Sequence, residues 1–112
     1  MIHITMEGIE DKVHILDNDF NGHKFEALVE FKGKLNYYVD DFEVDVFISL
    51  VRVVSAKLDG EELSTRIKEV LSEIISERLV HILTICTDGS VEYDKDSILD
   101  ECFEVLKEEQ LI

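Results

Sequence analysis

Hydrophobic and polar residues alternate through the first third of the chain, the period-two pattern of strands with one buried face. Gly8 and the pair Asn21-Gly22 interrupt the alternation. It therefore predicts three strands, whose apolar positions are Ile2, Ile4 and Met6, then Val13 and Ile15, then Phe25, Ala27, Val29 and Phe31.

A short glycine-containing segment, Lys32-Gly33-Lys34, follows the third of these strands. Beyond it the alternation continues at Leu35, Tyr37 and Val39. Two alternating runs separated by a short loop with glycine are typical of a β-hairpin. We expect a hairpin turn at this loop and a returning strand after it.

The segment from Phe42 to Val54 fits both the strand period and the helix period. Alternate residues from Phe42 to Leu50 are apolar, as in a strand, whereas Phe47, Leu50, Val51 and Val54 would share one helical face. β-Branched residues are frequent here, and they favour a strand. The strand is the preferred prediction and the helix is the alternative.

Two amphipathic helices are predicted in the second half of the chain. Asp59 and Glu62 have the spacing of an N-terminal capping pair, and Ser97 and Asp100 are the expected caps of the last helix. The apolar stripe of the first helix is Leu63, Ile67, Val70, Leu71, Ile74 and Ile75, and that of the second is Ile98, Leu99, Cys102, Phe103 and Leu106.

Between the helices, Asp88-Gly89 is the preferred pair for a two-residue hairpin turn. We expect strands from Val80 to Thr87 and from Ser90 to Tyr93 on either side of it. The whole pattern predicts an α+β fold: residues 1–112 form a single domain, an antiparallel-rich sheet of about five to seven strands with two amphipathic helices packed on it.

The charge narrows the range of partners. The 112 residues include 26 Asp and Glu against 11 Lys and Arg, a net charge of −15. Phosphate recognition requires clustered basic residues, so direct binding of nucleic acid is not expected, and anionic membrane surfaces would repel the protein. No apolar run is long enough to cross a membrane, and residues 1–7 lack the features of a signal peptide.

These features predict a cytoplasmic protein, in which thiols stay reduced. The chain has two cysteines, Cys86 and Cys102, without a CxxC pair. We interpret both as small core residues.

Residues Asp17 to Gly22 match the first half of an EF-hand calcium loop, with oxygen-bearing side chains at positions 1, 3 and 5 and glycine at position 6. Position 12, which should be a bidentate Glu, is Leu28. The flanking segments are predicted strands instead of helices. The preferred interpretation is an acidic hairpin turn, and calcium binding by Asp17, Asp19 and Asn21 is the alternative.

Candidate catalytic groups do not form a recognisable pattern. His81 and Cys86 would point to opposite faces of a strand, and no HExxH spacing, glycine-rich phosphate loop or GxSxG sequence occurs. We therefore predict no catalytic residues, no metal site and no cofactor, and a protein that is not an enzyme.

Nearly half of the excess negative charge lies in the last 34 residues, where nine acidic groups accompany two basic ones. An acidic surface steers association with a cationic partner, although it also serves solubility. The candidate partner-binding residues are the acidic groups around the last helix and three tyrosines that could anchor an interface: Asp94, Asp96, Asp100, Glu101, Glu104, Glu108, Tyr37, Tyr38 and Tyr93.

In size and charge the chain resembles immunity proteins that neutralise basic nucleases. That resemblance implies a small inhibitor or binding module whose acidic helical faces dock on a basic, nuclease-like or nucleic-acid-binding protein. A viral inhibitor that mimics DNA is one alternative, and a structural homodimer is another.

Overall fold

The strands and helices are described from a computed structural model, which covers the backbone of residues 3–38, 43–85 and 91–112 and the side chains of residues 11–33, 48–84 and 91–112. Four antiparallel strands form one sheet in the order β1-β2-β3-β4. Their bounds are β1 His3–Phe20, β2 His23–Tyr38, β3 Glu43–Leu58 and β4 Glu61–Glu62. The α+β class, the antiparallel sheet and the single core are as predicted.

The predicted breaks at Gly8 and at Lys32-Gly33-Lys34 are wrong, because β1 and β2 run through them. The β1–β2 register shifts between Met6 and Ile9, and the β2–β3 register shifts between Lys32 and Gly33. Both are places where one strand has an extra residue. Gly8 lies in the bulged strand at the first shift, whereas Gly33 lies opposite the extra residue of the second, which is Ser49 of β3.

Two tight turns with positive φ angles connect the strands. Asn21 and Gly22 have φ of 52° and 83°, and Asp59 and Gly60 have 53° and 83°. Positive φ at both central residues is the requirement of the type I′ hairpin turn, and Asn-Gly and Asp-Gly meet it best. The hairpin interpretation of residues 17–22 is thereby confirmed.

Residues 43–58 form β3, so the strand interpretation of the segment from Phe42 to Val54 is confirmed over the described residues. A further register shift leaves Val54 as an extra residue of β3, between Val53, which pairs with Val29, and Ser55, which pairs with Leu28. This bulge changes the parity of β3, so the strand alternation does not continue unbroken past Val54.

The two long helices are α1, Thr65–Glu77, and α3, Lys95–Glu108. Their apolar stripes are as predicted, but their caps are not. Ser64 caps α1, since its side chain accepts a hydrogen bond from Ile67 N at 3.3 Å, and Asp94 caps α3 by accepting from Asp96 N and Ser97 N. Asp59 instead lies in the turn that follows β3, because its positive φ is typical of an Asp-Gly hairpin turn.

Over the described residues, the expected strand from Val80 to Thr87 is correct only at Leu83–Ile85, which is β5; Cys86 and Thr87 lie outside the described residues. Residues Leu79–Ile82 instead form the short helix α2, which follows α1 after Arg78 and buries the side chain of Ile82. β5 pairs antiparallel with β6, Val91–Tyr93, in a separate two-stranded sheet. The predicted turn at Asp88-Gly89 lies outside the described residues.

One face of the large sheet packs against both long helices. Its core residues come from β1, β2 and β3, α1 contributes Ile67, Leu71 and Ile75, and α3 contributes Ile98, Cys102, Val105 and Leu106. Ring contacts link the layers: Phe20 lies against Phe25 and, edge to face, against Phe103. The helices therefore cover one side of the sheet and expose their opposite sides.

Cys102 is buried and unpaired, as predicted; Cys86 lies outside the described residues. None of the helices in the described ranges combines the length and apolar character that a membrane span requires.

Candidate acidic interface

Four acidic residues line the exposed side of α3 at intervals of four positions: Asp96, Asp100, Glu104 and Glu108. Four residues of α-helix rise about 6 Å, so the row is about 18 Å long. All four side chains are exposed and none makes an ion pair with another described residue. We call these four residues the α3 ladder.

A second acidic row, Glu69, Glu73 and Glu77, lies on the exposed side of α1. The two helices are antiparallel neighbours, because Arg66 at the start of α1 contacts Glu109 at the end of α3. Both helices bury their apolar stripes in the same core, so both rows lie on exposed helix surfaces. The outer surface of the helical layer is therefore strongly acidic.

Two ion pairs hold the helices in this arrangement. Arg66 Nη2 lies 2.7 Å from Glu109 Oε2, and Arg66 Nη1 donates to Glu109 Oε1 at 3.3 Å. This bidentate contact lowers the pKa of the Glu109 carboxyl and raises that of the Arg66 guanidinium. Arg78 Nε lies 3.8 Å from Glu101 Oε1. The arginines thus neutralise the acidic groups at the helix seam, whereas no described basic residue forms an ion pair with the α3 ladder.

The six acidic candidates from the sequence therefore separate into three groups. Asp94 caps α3, Glu101 is half-buried at the seam beside Arg78, and the α3 ladder supplies the other four. Glu101 was expected to share a face with Glu104 and Glu108. Its place is set by the packing of α1 against α3, which the sequence of α3 alone does not specify.

Tyr93 packs within the fold. Its ring stacks on Phe31 with centroids 4.4 Å apart, and its hydroxyl oxygen is buried without a hydrogen-bond partner among the described residues. Burial, with a smaller contribution from the charge of Asp11, raises the pKa of the Tyr93 hydroxyl to about 12. Tyr93 does not present an exposed ring beside the ladder.

Tyr37 and Tyr38 lie on the last two residues of β2, where Tyr37 pairs with Ile4 and Val44. Their side chains are outside the described residues. Tyr37 is six positions beyond Phe31, or about 20 Å along the strand. The backbone thus separates these two tyrosines from the region where Tyr93 packs.

Two histidine–carboxylate contacts are additional polar features. His14 Nε2 lies 2.9 Å from Glu26 Oε1, and His23 Nδ1 lies 2.6 Å from Asp59 Oδ2. Hydrogen bonding to His14 lowers the pKa of Glu26, and hydrogen bonding to His23 and to the Lys24 backbone lowers that of Asp59. These pairs were not predicted, because their partners are 12 and 36 residues apart.

The hydroxyl of Ser72 links α1 to β3. It donates to the Lys68 carbonyl at 2.7 Å and accepts from Val53 N at 2.9 Å. These hydrogen bonds are structural, because one of them satisfies the backbone N–H of Val53 at the edge of β3. Within the described ranges, no three His, Cys, Asp or Glu side chains converge in a way that could hold a metal ion.

Comparison with known proteins gave no relative: no family model matches the chain, and no curated protein or solved structure is significantly similar to it.

Proposed function

We propose that this protein is a small binding module or inhibitor that docks the acidic outer surface of its helical layer on a basic partner protein. The observation that carries the proposal is the α3 ladder, four exposed carboxylates on one helix that form no ion pair with the described residues. Opposite potentials accelerate association and discriminate against wrong partners. The rigid helix also spares the complex the entropy cost of ordering a loop.

Packing and capping support the view that the ladder is a binding feature. Like charges four residues apart cost a helix about 0.2 to 0.5 kcal/mol per pair. The helix tolerates this cost because Asp94 caps it and because its other side is buried with Ile98, Cys102 and Leu106. Because the like charges of the ladder repel one another, docking on a cationic surface would relieve that repulsion.

A DNA mimic is the alternative from the same charge. It requires carboxylates spaced like phosphates along an elongated face. The ladder covers only about 18 Å of a molecule that is 52 Å long. We therefore favour a compact basic patch over a nucleic-acid channel as the ladder's target.

We further propose that the protein acts in the cytoplasm and without catalysis. The free thiol of Cys102, buried in the core, suits a reducing compartment.

The test is capture from a lysate of the native host with three immobilised baits. They are the wild type, a ladder variant carrying Asp96→Asn, Asp100→Asn, Glu104→Gln and Glu108→Gln, and a control variant with four neutralised charges elsewhere, Asp17→Asn, Asp19→Asn, Glu61→Gln and Glu92→Gln. We expect a basic protein on the wild type and on the control, released by salt, and its loss from the ladder variant. Equal capture by the ladder variant, or capture of further copies of this chain only, would contradict the proposal.

A further inference from the structure

The sheet has a second face, opposite the helices, with a different charge. Strand alternation places Val13, Val29 and Val53 toward the core and their neighbours on the other side. We call that other side the open face. Across it, Lys12, Glu30 and Arg52 lie in one row, and Leu16, Glu26 and Lys57 lie in another.

Cations predominate on the open face of this acidic protein. Among the described side chains, strand alternation assigns five Lys and Arg residues to it: Lys12, Lys24, Lys32, Arg52 and Lys57. The acidic side chains described there are Glu26, Glu30 and Glu62, and each already has a partner. Glu30 is buried with its Oε1 3.3 Å from Arg52 Nη2.

Three of these cations have no direct ion pair. Lys12, Lys24 and Lys57 lie beyond ion-pair distance of the described carboxylates, although Lys24 and Lys57 are close enough to help lower the pKa of Glu26. The open face is thus locally positive although the chain as a whole carries −15.

Exposed aliphatic side chains lie among these cations. Leu16 is 48% exposed and Leu50 is 40% exposed. They are two of the five large hydrophobic residues that are exposed in the described part of the chain. Aliphatic groups interspersed with cations are typical of a surface that contacts polypeptide, since phosphate backbones offer nothing apolar to such residues.

From this combination we infer that the open face binds an acidic polypeptide segment that also carries apolar side chains. The partner's carboxylates pair with Lys12, Lys24 and Lys57, and its apolar side chains cover Leu16 and Leu50. The acidic helical layer repels the same segment, so the charge distribution selects this face and fixes which side of the protein the segment approaches. This surface is separate from the α3 ladder, which lies on the opposite side of the molecule.

The experiment uses a fluorescent peptide of repeated Glu-Leu-Glu-Ser units and its counterpart with Gln in place of every Glu. Anisotropy gives the affinity, and amide shifts of ¹⁵N-labelled protein locate the contact. We expect the acidic peptide to bind more tightly than its counterpart and to shift amides of β1, β2 and β3 along the open face.

Two charge-matched variants separate local from global electrostatics. Lys12→Gln with Lys57→Gln removes two cations from the open face, and Lys95→Gln with Lys107→Gln removes two from α3. Exposed pairs contribute up to about 1 kcal/mol each, so the first variant should bind the acidic peptide roughly tenfold more weakly. The second should bind within about twofold of the wild type. Leu50→Ser should also weaken binding, and it tests the apolar contribution separately.

Several results would overturn the inference. They are no binding of the acidic peptide, equal binding of the Gln counterpart, equal losses in the two charge-matched variants, or amide shifts confined to the helices. A DNA oligonucleotide that displaced the peptide from the same amides would show that the open face is a phosphate-binding surface instead.

Discussion

His23 Nδ1 lies 2.6 Å from Asp59 Oδ2, which joins the β1–β2 turn to the β3–β4 turn. An ionised carboxylate only accepts hydrogen bonds, so the ring nitrogen donates. Asp59 Oδ1 also accepts from Lys24 N at 2.9 Å, and Asp59 N donates to the Lys24 carbonyl at 2.7 Å. One aspartate thereby connects two neighbouring hairpin turns.

Asp59→Asn should reduce the free energy of unfolding at neutral pH. The substitution keeps a residue that tolerates the left-handed turn but removes the charge that His23 and Lys24 stabilise. These hydrogen bonds lower the pKa of Asp59 in the folded state, so its contribution is fully present above the unfolded pKa of about 4 and is lost as the pH falls through the folded value. Urea unfolding of both proteins should show a difference at pH 7 that shrinks toward pH 3.

The control for this prediction is Glu61→Gln, a neutralised carboxylate near the same turn that makes no hydrogen bond with the described residues. A difference between wild type and Asp59→Asn that was independent of pH, or a similar effect of Glu61→Gln, would contradict the role assigned to Asp59.

Ser64→Ala should destabilise the protein by about 1 kcal/mol, because Ser64 is the N-cap of α1 and its hydroxyl satisfies the backbone N–H of Ile67. Ser76→Ala, in the last turn of the same helix, should change stability by less than about 0.5 kcal/mol. The midpoint of urea unfolding measures both. Equal effects of the two substitutions would place the start of α1 elsewhere.

Cys102 should resist alkylation until the protein unfolds. Burial, with a smaller contribution from the neighbouring Glu101, raises the pKa of its thiol to about 12, so almost no reactive thiolate exists at pH 8. In a Cys86→Ser background, the iodoacetamide reaction should follow the fraction unfolded across a urea series. Modification in native buffer at the rate of a free thiol would mean that α3 is not packed as described.

Millimolar calcium should leave the melting temperature unchanged. Asp17 Oδ1 accepts from Asp19 N at 3.0 Å, and Asp19 Oδ1 accepts from Gly22 N at 3.3 Å. These bonds belong to a hairpin turn. A ligand that binds the folded state raises the melting temperature by mass action. A rise that disappeared in Asp17→Asn with Asp19→Asn would establish the calcium site instead.

The helix interiors could be predicted from the sequence because their pattern is local. Ile67, Leu71 and Ile75 recur at the period of one helical face, and burial follows from that period alone. The extent of the strands could not be predicted in the same way. Whether Gly33 ends a strand or lies opposite a bulge depends on which residues of β1 and β3 lie beside it, and that information is distant along the chain.

The turn at Asp59-Gly60 shows how two valid local signals compete. Asp59 followed by Glu62 fits a helix cap, and Asp-Gly fits a type I′ turn equally well. The pairing of Lys57 with Glu62 decides between them, since it requires a hairpin there. The sequence also indicated that the last helix is acidic. It did not indicate which carboxylates Arg66 and Arg78 neutralise, because those contacts join residues that are distant along the chain.

The most direct test of the proposed function is the association rate constant with the captured basic partner, measured by stopped-flow fluorescence over a series of salt concentrations. The wild type and the control variant with Asp17, Asp19, Glu61 and Glu92 neutralised should associate more slowly as salt rises, because screening removes the steering by the α3 ladder. The variant with Asp96, Asp100, Glu104 and Glu108 neutralised should associate slowly at low salt and respond weakly to added salt. If its rate and salt response equal those of the wild type, the ladder is only a solvated surface and the proposed interface is wrong.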